Sequence, residues 1–276
     1  MILRRQPRPE LRALVNALWA TAPSENPPAL AACRERVLPT GAMHLAFRLN
    51  SPLRLFRNVD DNAGHTVGHA VVGGVRSSFC VKDISDPVCS VGMQLNAGAA
   101  EILFGMPAEE LAERHTLLDD LWGRHSTTLI LDQLMGTQSL ERRLDLLESM
   151  LVSRASVVRR LHPAVAHALS RLAVAGSIHE VVKETGYSHR RFIAVFRKEV
   201  GLSPKAFSRI LRFQQAINEV ASDPAAQWAD LALGAGYSDQ SHFNREFREF
   251  AGVTPEQYRR ISPGSANHVP ILRSTR

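Results

Sequence analysis

Residues 184–207 read ETGYSHRRFIAVFRKEVGLSPKAF, and residues 234–258 read GAGYSDQSHFNREFREFAGVTPEQY. The second stretch repeats the first. Gly186-Tyr187-Ser188 falls on Gly236-Tyr237-Ser238 at an offset of 50, and after one inserted residue Phe192, Phe196, Gly201 and Pro204 fall on Phe243, Phe247, Gly252 and Pro255 at an offset of 51. A stacked solenoid needs about three or more units to bury its faces, so two copies indicate a duplicated compact unit.

Each copy carries its own helix punctuation. Ser188 and Ser238 are placed to cap following helices with their hydroxyl oxygens. The paired phenylalanines are four apart and share a helical face, and Gly201 and Gly252 are placed to end those helices. Ser203-Pro204 and Thr254-Pro255 open the next helices with a capping hydroxyl and a proline in the first turn. Upstream, Ile178, Val181 and Val182, and then Trp228, Leu231 and Ala232, mark short apolar-faced helices that end at Thr185-Gly186 and Ala235-Gly236.

Helix, glycine turn and capped helix make a helix-turn-helix, whose second helix can enter the major groove of DNA. The phenylalanines must face the core, so the opposite faces carry any recognition chemistry. The first copy offers Ser188, His189, Arg190, Ile193, Ala194 and Arg197; the second offers Ser238, Asp239, Gln240, Ser241, Asn244, Arg245 and Arg248. Arginine can bond guanine bidentately, and asparagine or glutamine can bond adenine. A solvated amphipathic face would look similar in a single copy, but duplication with matching caps argues against that reading.

Charge follows the repeat. Residues 151–276 hold 18 Lys and Arg against 10 Asp and Glu, a net of +8, whereas residues 1–150 hold 15 against 17. Clustered positive charge suits phosphate contacts. The doubled GYS…F…F…G-x-[ST]-P phrase, with its intervening helix around Phe207–Val220, resembles the DNA-binding domain of the AraC family of bacterial transcription regulators over residues 160–262. The resemblance implies two recognition helices in successive major-groove segments, with Arg190, Ile193 and Ala194, and Gln240, Ser241 and Arg245, at the base-facing positions. Ala194 departs from the arginine common there in the family.

The first half reads differently. Short apolar runs at Met43–Leu49, Leu53–Phe56, Val67–Val75, Ser78–Val81 and Val88–Leu95 are separated by turn residues, which predicts strands of a small barrel or sandwich. Ala99–Leu103, Pro107–Glu113, Thr127–Met135 and Leu140–Leu151 read as helices, the last with Leu140, Leu144, Leu147 and Leu151 on one packing stripe. RVLPTGAMHLAF, VGMQLNAGAAEILFGMPAEEL and LLDDLW are similar to an uncharacterised domain found attached to AraC-type modules. By that analogy we expect a cupin-like β-barrel with trailing helices, binding a small-molecule effector, forming a homodimer, or both. His44, Phe47, Phe79 and Met93 are the candidate effector-lining residues.

The expected organisation is thus α+β in two domains: a β-rich domain over residues 1–154, an all-α domain with two helix-turn-helix motifs over 155–262, and a disordered tail over 263–276. A content of 45% hydrophobic and 22% charged residues is ordinary for globular domains. No apolar run approaches the ~18–20 residues of a membrane span, and a cytoplasmic protein without membrane partners is expected. Cys33, Cys80 and Cys89 lack CxxC spacing and are expected to be reduced thiols. They are too few for the four-cysteine zinc site of the alkyl-accepting repair proteins that also carry AraC-type modules. The alternative reading is a cupin-type metal enzyme or metal sensor fused to the DNA-binding domain, with His44, His65 and His69 as ligands. No carboxylate sits at a recognised ligand spacing to support it. With no Walker loop, GxSxG or HExxH, the chain is read as a non-enzyme without cofactors. Its expected partners are double-stranded DNA and, for an activator, RNA polymerase.

Overall fold

The computed structural model describes residues 1–23, 33–155, 161–173, 176–223 and 226–272. Residues 156–160 at the start of the expected second domain, and 273–276 of the expected tail, lie outside the described residues.

The first half opens with β1 (Ile2–Arg5), a 3₁₀ turn (Pro9–Leu11), β2 (Val15–Thr21), β3 (Arg34–Val37), β4 (Met43–Arg48) and β5 (Leu53–Phe56). β6 (His65–Gly68), β7 (Ala70–Gly73), β8 (Cys80–Asp83) and β9 (Ser90–Leu95) follow. Then come α1 (Ala99–Phe104), α2 (Ala108–Leu111), β10 (His115–Leu117), α3 (Leu118–Trp122), α4 (Arg124–Met135) and α5 (Leu140–Arg154). The second half comprises α6 (Pro163–Ala173), α7 (Ile178–Thr185), α8 (His189–Val200), α9 (Pro204–Ser222), α10 (Trp228–Gly234), α11 (Gln240–Ala251) and α12 (Pro255–Ile261). A last strand, β11 (His268–Pro270), ends the described chain.

Among the described residues the strands form two antiparallel sheets, ordered β1-β2-β9-β4-β7-β10 and β11-β3-β8-β5-β6. The sheets face each other but do not close, so the expected barrel is an open two-sheet arrangement. The run expected as one strand over Val67–Val75 turns a corner at His69, whose Nδ1 lies 2.8 Å from the Arg48 carbonyl oxygen. β6 therefore belongs to one sheet and β7 to the other.

Alternation along the strands divides the six-stranded sheet into two faces. Leu18, Leu45, Phe47, Val91 and Met93 lie on the face that joins the main core, under the leucine stripe of α5. Leu140, Leu144, Leu147 and Leu151 are all buried there, so the stripe is packing. Arg5 holds the same helix through Asp145 (2.7 Å) and the buried Glu148 (2.5 Å). His44, Ala46, Gly73 and His115 lie on the opposite face, toward the second sheet.

The expectation of a disordered tail is overturned for residues 265–271. β11 pairs with β3, Val269 is fully buried, and His268 Nδ1 lies 2.7 Å from Glu35 Oε1. Lys82 Nζ lies 2.6 Å from the same oxygen. Burial alone would raise the Glu35 carboxyl, but the His268 hydrogen bond and the Lys82 charge outweigh it and hold it down to about 2. The end of the helical half thus completes a sheet of the first half. A free sheet edge and a buried-capable valine gain by pairing, even across the length of the chain.

His44 and His115 are expected to make the first half acid-sensitive. Burial pushes both imidazoles down, His44 to about 4 and His115 to about 3, with Arg76 and Lys82 adding to the shift. A histidine whose folded pKa lies below its unfolded value of ~6.5 loses stability as pH falls through 6.5 toward the folded value, at about 1.4 kcal/mol per unit. For this coupled, partly solvated pair we expect a loss of about 2–3 kcal/mol between pH 7.5 and pH 5. Urea midpoints at the two pH values measure it, and a protein no less stable at pH 5 would refute it.

Candidate nucleic-acid interface

The two helix-turn-helix units form as their punctuation predicts, with one exception. Ser188 caps α8 by accepting from the Arg191 N–H at 3.4 Å. In the second copy the cap is Asp239, which accepts from the His242 N–H at 2.7 Å. Ser238, the expected cap, instead donates its hydroxyl to Asp239 Oδ2 at 3.0 Å. The inserted residue explains this correction. The offset of 51 that aligns the phenylalanines also aligns Ser188 with Asp239, and a carboxylate caps as well as a hydroxyl.

Phe192 and Phe196 are fully buried with Val181 in one small core, and Phe243 and Phe247 are fully buried in the main core. The opposite faces are open. Ser188, His189, Arg190, Ala194 and Arg197 are exposed on α8 and its cap, with Ile193 half-buried beside them. Ser238, Asp239, Gln240, Ser241, Asn244, Arg245 and Arg248 are exposed on α11 and its cap. Each copy therefore brings its candidate residues onto a single solvent-facing surface. With α8 and α11 beginning at equivalent residues, Arg190 matches Ser241 and Ala194 matches Arg245. The two helices carry their arginines one turn apart. Neither Arg190 nor Arg245 has an ion-pair partner among the described residues, so both guanidinium groups are free for a ligand.

The second unit is fixed by a buried carboxylate that repeat matching does not reveal. Glu246 is 3% exposed and accepts from Arg209 Nε at 2.7 Å and from the Tyr237 hydroxyl at 2.9 Å. Arg209 also reaches Glu249 at 2.6 Å. Burial, followed by the Glu246 charge, raises the Tyr237 phenol above its ordinary value. The position equivalent to Glu246 in the first copy is Val195, so this network has no counterpart there. The first copy uses Glu199 instead, whose carboxylate accepts from the His162 N–H at 3.0 Å ahead of α6.

α8 and α11 both end against the first half. A side chain at the α8 cap Gly201 would lie 2.5 Å from Val75, and one at the α11 cap Gly252 would lie 2.7 Å from Phe79. Glycine serves two purposes at each site: it takes the left-handed turn and lets the domains approach. Lys198 on α8 pairs with Glu101 on α1 at 3.7 Å, and Gln214 on α9 donates to the Pro39 carbonyl at 2.8 Å. A cavity of about 200 Å³ lies at this joint, lined by Leu14, Ala100, Ile102, Ala108, Leu161 and Lys198.

The four expected effector-lining residues do not come together. Phe47 and Met93 are fully buried on the helix-facing side of the sheet, His44 is on the other side, and Phe79 touches Gly252 at the domain joint. Strand pairing, which the run of residues alone does not reveal, separates them. Among the described residues, no three His, Cys, Asp or Glu side chains group so as to hold a metal ion. No helix among the described residues is long and apolar enough to cross a membrane.

Residues 181–261 match the family described as a helix-turn-helix domain, and residues 3–117 match a domain of unknown function, DUF6597. An uncharacterized HTH-type transcriptional regulator of Haemophilus influenzae is 28% identical over 102 residues, covering 37% of this chain and 34% of that protein. The HTH-type transcriptional regulator MtrA of Neisseria gonorrhoeae is 30% identical over 84 residues, covering 30% of this chain and 28% of that protein. The chain thus spans about a third of the length of these relatives. Among solved structures, ToxT from Vibrio cholerae aligns over 96% of this chain and 98% of its own, at 9% identity and a TM-score of 0.46.

Proposed function

We propose that this chain, whose residues 181–261 form an AraC-type helix-turn-helix domain, is a sequence-specific DNA-binding transcription regulator. The observation that carries the reading is the pair of capped helices, α8 and α11, both packed on α9 through Phe207, Arg209 and Phe213 and presenting unpaired arginines and amides to solvent. The net +8 of residues 151–276 supplies the field for phosphate contacts. Residues 1–154 act as the sensing or dimerising domain and residues 155–262 as the DNA-binding domain. An effector or a second copy acts through the joint where both recognition helices end. If the protein activates, RNA polymerase is a further partner, and the working compartment is the bacterial cytoplasm.

Selection of bound genomic fragments by the full chain, followed by footprinting, tests this. We expect protection over two successive major-groove segments about 10–10.5 bp apart, and affinity falling with salt at a log–log slope of about −0.9 per neutralised phosphate. Protein that is folded yet binds no duplex at low salt overturns the proposal.

The arginines separate base reading from backbone contact. Arg190→Ala and Arg245→Ala are each expected to cost about 1–3 kcal/mol on selected DNA while leaving random-sequence binding nearly unchanged. Competition titrations measure the ratio. Equal weakening on both DNAs would assign that arginine to phosphate.

A further inference from the structure

The facing surfaces of the two sheets gather polar groups whose bonding capacity is unused. Gly73 on β7 lies in register with His44 on one side and His115 on the other, so the two imidazoles flank it in a row. A side chain at Gly73 would overlap the His44 ring, so only glycine admits this arrangement. The rings are 5.9 Å apart between centroids, edge to face. His44 has no hydrogen-bond partner among the described residues. Arg76 places Nη1 3.3 Å from His115 Nδ1. A guanidinium can only donate, so His115 accepts there and carries its proton on Nε2.

Arg76 has no carboxylate partner among the described residues, and its buried Nε is unpaired. An unpaired guanidinium held beside two imidazoles inside a fold is costly unless something occupies its donors. Two nearby acids are already engaged: Glu113 accepts from the Ser77 N–H at 2.9 Å. Glu35 is taken up by Lys82 at 2.6 Å and His268 at 2.7 Å, both from the facing sheet. Burial, with the charges of Lys82 and Arg76 nearby, holds the His44 imidazole down to about 4, so the ring is neutral.

We propose that Arg76, His115 and His44 form a binding site for a small oxyanion, a carboxylate or a phosphate group, between the two sheets of the first domain. Arg76 supplies charge and a forked pair of donors, and each neutral imidazole supplies one N–H. The site adjoins the Glu35–His268 pair that holds β11, the strand following the DNA-binding domain. β11 in turn follows α12, the last helix of the second half. Control of DNA binding by that occupant rests on the regulator reading above; the anion site itself does not.

The test uses the full chain with inorganic phosphate and with succinate, each against sodium chloride at matched ionic strength. We expect one of the two to raise the melting temperature by several degrees at millimolar concentration, and which one does so identifies the source as phosphate or carboxylate. Arg76→Gln should abolish the shift, Arg76→Lys should retain part of it, and His44→Gln should weaken binding at least tenfold by calorimetry. Should Arg76→Gln fail to fold, imidazole NMR signals of the wild-type protein decide: bound anion should raise the titration midpoints of His44 and His115. Neither anion exceeding the chloride control, Arg76→Gln responding as wild type, or imidazole midpoints unmoved by saturating anion each overturns the site. Duplex binding is measured on the same samples. Intact DNA binding without an anion response refutes only the site, and an anion response without DNA binding refutes only the regulator reading.

Discussion

Deleting residues 265–276 is expected to destabilise the first half of the molecule by about 3–5 kcal/mol, although the deletion lies beyond the last helix of the second half. The deletion removes β11 from the edge of β3, together with the Leu38 N–H bond to the Asn267 carbonyl (2.9 Å) and the Ile271 N–H bond to the Arg34 carbonyl (2.8 Å). It also removes Val269, which is fully buried, worth about 1.5–3 kcal/mol. Backbone bonds at about 1 kcal/mol each make up the remainder. A second consequence is electrostatic. Without His268 the Glu35 carboxyl keeps only Lys82, so its pKa rises toward the ordinary carboxylate range, and the stability it confers above that range is lost at a higher pH than before. Urea unfolding followed by Trp19 and Trp122 fluorescence in a Trp228→Phe background reads the first half directly, since these two tryptophans lie there. A truncated chain with an unchanged midpoint would show that β11 is not part of the sheet in solution.

Glu246→Ala is expected to cost about 3–4 kcal/mol and to abolish sequence-specific DNA binding. Removing one partner of a buried charged pair leaves the other uncompensated, a loss of about 3–5 kcal/mol, reduced here because Arg209 is 28% exposed and keeps Glu249. The Tyr237 hydroxyl loses its acceptor as well. α11 is held against α9 through this carboxylate, so its exposed face loses its fixed orientation while the α8 face keeps its own support from Glu199. Footprints should therefore shrink to one groove segment before binding is lost altogether. Glu246→Gln retains an acceptor for Tyr237 and should recover part of the stability. Wild-type stability in Glu246→Ala would remove the network from the account of how the second helix is positioned.

The helix-turn-helix units were legible because their determinants are local. Caps, proline starts, glycine ends and phenylalanines four apart act within a turn or two of the residues that encode them, so Ser188, Gly201, Ser203, Gly252 and Thr254 all serve as the sequence predicts. The exception, Ser238 replaced by Asp239, lies beside the inserted residue, whose place only the helix register fixes. The candidate face followed from the buried one, since a helix has a single opposite side.

The first half was only partly legible, for the opposite reason. The run Leu53–Phe56 predicts a strand with its observed ends, but the strands at Val15–Thr21 and Arg34–Val37 carry no run that predicts them. A strand is completed by a partner distant in sequence, so the residues between its ends do not contain its pairing. Tertiary pairing broke Val67–Val75 at His69 into two sheets, put Phe47 and Met93 on the far side from His44, and turned a segment read as a disordered tail into β11. It also brought Glu246 under Tyr237 and set Gly201 and Gly252 against the first domain. Sequence by itself determined two capped helices and which faces they expose. Only long-range packing, in which burial and unpaired strand edges select partners across the chain, decided how those helices are held and what lies between the sheets.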